Sequence, residues 1–92
     1  MRLTIWTVAA DDKGGTRATV HTSERDAYEQ WVALQFGESL DDDEHANKKA
    51  AQSFIERDDY DGLRRWMDEE EIGDPFDTYA VESHEVDLPV AR

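Results

Sequence analysis

The forty residues from Glu38 to Asp77 hold fifteen acidic side chains and five basic ones, and that imbalance limits what they can build. An ionised carboxylate is costly to bury without a partner, so most of this segment must face water and each element keeps only one apolar stripe for a core. Ala46, Ala50, Ala51, Phe54 and Ile55 fall on such a stripe at helical spacing, and Leu63, Trp66 and Met67 make a second, shorter one. Two amphipathic helices are therefore expected. Asp41, Asp42 or Asp43 caps the first, whose acidic opening turn suits the helix dipole. Asp58, Asp59 and Asp61 lead into the second, which Gly73 ends and Pro75 keeps from resuming.

The rest of the chain reads differently. Leu3, Ile5 and Thr7 alternate with Thr4, Trp6 and Val8, and the period of two resumes from Arg17 to Thr22 after the turn residues ADDKGG, which predicts a β-hairpin. Thr22 and Ser23 offer caps for a further helix, with Asp26 three residues after Ser23 as a weak capping box; Ala27, Tyr28, Trp31, Val32 and Leu34 follow at helical spacing up to Gly37. Tyr79 and Val81, then Val86 and Leu88, read as a closing strand whose change of phase predicts a bulge near Ser83 or His84. The expected fold is a single α+β domain over residues 1–92, in the order ββαααβ, with a small three-stranded antiparallel sheet and the helices packed on one face. Three strands are the smallest stable sheet, so the last strand should pair with the first, giving the order 2-1-3.

Ninety-two residues are enough for one small core, and the absence of cysteine removes disulfides and thiolate zinc sites, so packing alone must hold it in a reducing, cytoplasmic setting. The opening MRLTIWTVAA is too short and polar for a signal peptide, and no window approaches the ~18 apolar residues of a membrane span.

Catalytic signatures do not emerge. His21, His45 and His84 are scattered, Ser23, Ser39, Ser53 and Ser83 lack a nucleophile-elbow context, and Gly14-Gly15 belongs to a hairpin turn rather than a phosphate loop. DDYDG at Asp58 to Gly62 partly matches a calcium loop, with Asp59, Asp61 and Gly62 in place, but the first ligand position falls on Arg57 and the twelfth on Asp68. No enzyme activity, cofactor or dedicated metal site is expected.

What remains is charge. The net charge of −13 exceeds the roughly 2 to 8 that keeps a small domain soluble. It argues against direct contact with nucleic acid or an anionic membrane and for a basic protein partner. Residues three or four apart on a helix lie about 5–6 Å from one another, so Asp58, Asp61, Asp68 and Glu71 are expected to set carboxylates in a row. Like charges so placed repel, and B-DNA presents one charge per ~1.7 Å of axis, so a row of carboxylates can imitate DNA to a protein built to grip phosphate. The candidate partner-binding residues are Asp41, Asp42, Asp43, Glu44, Asp58, Asp59, Asp61, Asp68, Glu69, Glu70, Glu71 and Asp74, with Trp66 and Met67 anchoring the acidic helix to the core. The alternative is a structural or regulatory interaction module whose acid is a halophile-type hydration shell. Clustering favours mimicry, because Met1 to Thr22 holds more bases than acids.

IWTV at the start, the turn KGG leading into ATVHTSERDAYEQW, and the closing HEVDLP resemble a loose group of short acidic proteins from phages, plasmids and other mobile elements. Several small acidic proteins of this build are anti-CRISPR inhibitors. The resemblance implies an inhibitor that binds a type I CRISPR surveillance complex and occupies the basic surface meant for target DNA; separately from it, a monomer or weak homodimer is expected.

Overall fold

Strand β1, Arg2–Asp12, is the strand on which both others are built. In the computed structural model, which describes residues 1–36, 42–72 and 78–87, β2 (Gly15–His21) pairs antiparallel with β1 from Trp6 opposite His21 to Asp12 opposite Gly15. Strand β3 (Thr78–Asp87) pairs along the other side from Arg2 opposite Asp87 to Asp11 opposite Thr78, giving the order β2-β1-β3 that the sequence pattern predicts. The predicted bulge at Ser83 or His84 is absent, since every residue of β3 has one partner in unbroken register. The phase change has another cause. Tyr79 and Val81 lie opposite Ala10 and Val8 on the face that the helices cover, whereas Val86 lies opposite Leu3 on the face they leave open. Leu88, also assigned to this strand from sequence, lies outside the described residues.

The hairpin end is fastened by one carboxylate. Gly15 takes φ of +100°, a left-handed backbone that glycine enters at little cost, and so lets the chain turn back tightly. Asp12 then accepts hydrogen bonds from the Gly14 amide at 2.8 Å, from both terminal nitrogens of Arg17 at 2.7 and 3.0 Å, and from the Tyr79 hydroxyl at 2.8 Å. One side chain thereby ties the turn to all three strands. The Arg17 guanidinium first, then the Tyr79 hydroxyl and the Gly14 amide, hold the Asp12 carboxyl far below its ordinary 3.8.

Helix α1 (Glu24–Phe36) starts where the Ser23 hydroxyl accepts from the Asp26 amide at 3.0 Å, the N-cap that the sequence suggests. Its buried side is Ala27, Tyr28, Trp31, Val32 and Phe36, laid across the sheet against Val8. Helix α2 (Asp42–Glu56) buries Ala51 and Ile55 and half-buries Ala50 and Phe54. Ala46, placed on the same stripe from spacing, is exposed, because the stripe meets the core only in the second half of the helix. Asp42 and Asp43 lie inside its first turn rather than at the cap; Asp41 is outside the described residues. Helix α3 (Tyr60–Glu69) buries Leu63 and Met67, with Trp66 half-buried against the Phe54 ring at 5.7 Å. Ile55, Leu63, Val8 and Val32 are the largest fully buried side chains, each stabilising the fold by about 1.5–3 kcal/mol. Among the described residues no polar or charged residue is buried.

Because its folded pKa is depressed, the Asp12 ion pair contributes its full stability above the ordinary carboxylate range and loses it as pH falls toward the folded value. Thermal melts of the wild type should therefore lose part of their stability on acidification below about pH 4, and Asp12→Asn should flatten that acid limb while lowering stability at neutral pH. Gly15→Ala, which meets no neighbour but must hold φ of +100°, should destabilise by about 1–2 kcal/mol in urea titrations.

Candidate functional site

Helices α2 and α3 both end in a left-handed residue that is not glycine. After α2 the Asp58 amide donates to Ile55 O at 3.0 Å and the Asp59 amide to Phe54 O at 2.9 Å, with Asp58 at φ 54°. After α3 the Glu71 amide donates to Asp68 O at 3.2 Å and the Ile72 amide to Met67 O at 3.0 Å, with Glu71 at φ 52°. Each is a Schellman closure, in which glycine is the usual occupant of the left-handed place. The α3 closure lies upstream of Gly73, the stop expected from sequence; Gly73 and Pro75 are outside the described residues.

These closures break the predicted row of carboxylates. Asp58 and Glu71 fall outside α3, beyond opposite ends, while Asp61 and Asp68 sit two turns apart with Arg64 and Arg65 between them. A ten-residue helix is about 15 Å long, so the acids divide into two groups separated by roughly that distance.

The group at the start of α3 serves the fold. Asp59 is the N-cap, its carboxylate accepting from the Gly62 amide at 3.1 Å. A Cβ at Gly62 would run into that same carboxylate, which accounts for the glycine in DDYDG without a calcium ion. Asp61 lies in the first turn, where the dipole favours negative charge. Asp58 accepts from the Tyr60 hydroxyl at 2.9 Å and pairs with Arg25 at 3.5 Å. Arg25 also donates to Ile55 O and Glu56 O, bringing a cation to the negative end of α2. Arg25 and Asp12 are tertiary contacts with no local spacing rule, and sequence reasoning passed over both.

The second group has no such explanation. Asp68 and Glu69 occupy the last turn of α3, Glu70 is its C-cap and Glu71 follows, with no basic residue in that turn. Carboxylates at a helix C-terminus oppose the dipole by about 0.3–1 kcal/mol each. All four are exposed, and among the described residues none has an ion-pair partner. Across from them stands the first turn of α2. Glu44, Glu70 and Glu71 line one groove of about 360 Å³ with Gln35, Phe36, Asn47 and Ile72, so acid runs more than twenty residues apart in sequence meet at one end of the α2–α3 pair. Asp42 and Asp43 extend this end from the exposed side of α2. Asp74 lies outside the described residues.

A neighbouring groove of about 490 Å³, lined by Trp31, Gln35, Arg64, Arg65, Met67, Asp68 and Ile72, gives the acidic end an apolar floor and two cations. Alternation of Arg64 and Arg65 with Asp61, Asp68 and Glu69 at three- and four-residue spacing was the signal for this mixed edge. Among the described residues, no group of three or more His, Cys, Asp or Glu side chains is arranged to hold a metal ion. No helix among them is long and apolar enough to cross a membrane. No family model, curated protein or solved structure matches the chain.

Asp58→Gly and Glu71→Gly should each raise stability by about 1 kcal/mol in denaturant titrations by removing the left-handed penalty, with the gain at Asp58 reduced by loss of its contacts to Tyr60 and Arg25.

Proposed function

We propose that this chain is a non-catalytic inhibitor that presents carboxylates to a basic, DNA-gripping groove of a partner protein. The observation that carries the reading is the placement of Asp68, Glu69, Glu70 and Glu71. They crowd the negative end of a helix, one of them in a left-handed backbone, and two of them, Glu70 and Glu71, share a groove with Glu44 of the acidic first turn of α2. Each feature lowers stability, and together they concentrate negative field at one end of the molecule. A basic groove that normally holds phosphates would relieve this repulsion on binding. The contact residues are Asp42, Asp43, Glu44, Asp68, Glu69, Glu70 and Glu71, with the half-buried Trp66 and Ile72 beside them as apolar contacts.

The likeness of IWTV, ATVHTSERDAYEQW and HEVDLP to mobile-element proteins supports a type I CRISPR surveillance complex as the partner and the host cytoplasm as the place of action. Inhibition would follow from occupancy: a groove filled by carboxylates cannot load target DNA.

The quadruple variant Asp68→Asn, Glu69→Gln, Glu70→Gln, Glu71→Gln separates function from folding. It should be more stable than wild type by roughly 1–3 kcal/mol, since four charges that oppose the dipole are gone. In pull-downs against purified type I surveillance complexes it should at the same time lose at least about tenfold in affinity. Unchanged capture by the more stable variant would refute the reading. So would a wild-type fold that forms only in molar salt, the mark of a hydration shell.

A further inference from the structure

We infer that the open face of the sheet is the contact surface between two copies of this chain. Antiparallel sheets with one face in water normally alternate apolar-in and polar-out, but β1 is apolar on both sides. Trp6, Val8 and Ala10 turn toward the helices. On the opposite face the register aligns Leu3 with Val86 and Ala9 with Ala80, beside Ile5 and Val20, and no described element covers them. Leu3 is 38% exposed and Val20 65%. Contiguous apolar surface of this kind on a chain so rich in charge marks an interaction site.

Charge selects the occupant. Among the described acidic residues only Asp11 and Glu82 lie on this face, and Glu82 stands 3.8 Å from His84. The remainder of the described acids point away from it. A second copy can therefore approach face to face with its acidic helices directed outward. Packed sheets lie about 10 Å apart and each helix layer adds about 10 Å, so the two α1 helices would stand roughly 30 Å from one another. That is several times the ~8 Å Debye length at physiological salt, and repulsion between the acidic layers is screened.

Area sets the strength. An 11-residue strand spans about 36 Å, and three strands make a face about 14 Å wide, so two copies would bury on the order of 900 Å². This falls below the ~1,200 Å² at which stable specific interfaces begin, so the dimer is a weak, transient one. The contact is isologous, so a single substitution places like charges on both sides of the two-fold axis.

Sedimentation velocity over a dilution series tests this with two variants of equal charge. Leu3→Glu with Val20→Glu puts two acids on the open face at exposed positions that leave the core untouched. Ala33→Glu with Ala46→Glu puts the same charge on exposed positions of α1 and α2. The wild type and the helix variant should dimerise alike, while the sheet variant, with an unchanged circular dichroism spectrum, should associate at least about tenfold more weakly. A wild type that stays monomeric at about millimolar concentration overturns the proposal, as does equal weakening of both variants or association of the sheet variant at wild-type strength.

Discussion

Helix α1 is the layer through which every other element reaches the core, and its side chains show how little apolar surface the rest of the chain can offer. Tyr28, Trp31 and Val32 lie on the sheet; the Trp6 indole donates to Glu24 at 3.2 Å and the Trp31 indole to Tyr79 O at 3.3 Å, so β1 and β3 are bound to α1 by hydrogen bonds as well as by packing. On the other side Arg25 grips the last carbonyls of α2, and Tyr28 stacks on Tyr60 of α3 at 4.5 Å. With α1 in place, α2 and α3 need to bury only Ala51, Ile55, Leu63 and Met67, and the rest of their surfaces is free to be acidic. Strand β3 is held from two helices, as Trp31 of α1 and Arg64 of α3 donate to Tyr79 O and Val81 O at 3.3 and 3.0 Å.

The acids then sort by what the backbone does with them. At a helix start they cap and complement the dipole, as Asp59, Asp61 and the first turn of α2 do. At the hairpin, Asp12 gathers the donors of three strands. At the end of α3 the same side-chain type works against the backbone on two counts, dipole and left-handed φ. Net charge alone cannot make this distinction, because folding acids and opposing acids count equally toward −13.

Element order and the stripes of α1 and α3 were legible in the sequence because each follows from a local period, two for the strands and 3.6 for the helices, and sheet order followed from the need for a third strand beside the hairpin. Ser23 was legible as a cap for the same reason, since its partner is three residues away. The bulge misreading shows the limit. A phase change in Tyr79, Val81 and Val86 records which face is covered at each point along the strand, and that depends on where α1 lies across the sheet. Ala46 fails likewise, because spacing fixes a stripe but not how much of it meets a partner. The meeting of Glu44 with Glu70 and Glu71 was out of reach, as it needs α2 and α3 to run back along one another. Left-handed Asp58 and Glu71 were hidden because glycine is the usual sign of that closure and both positions lack it.

The central claim is that the carboxylates gathered at the end of α3 compete with phosphate for one basic groove. The direct measurement is displacement of labelled target DNA from a purified type I surveillance complex by the wild-type protein, titrated at low and at high salt. The account predicts competitive displacement that weakens steeply as the Debye length shrinks from ~10 Å at 0.1 M to ~3 Å at 1 M. DNA that stays bound at the lowest salt, with the folded protein in large excess, would contradict it.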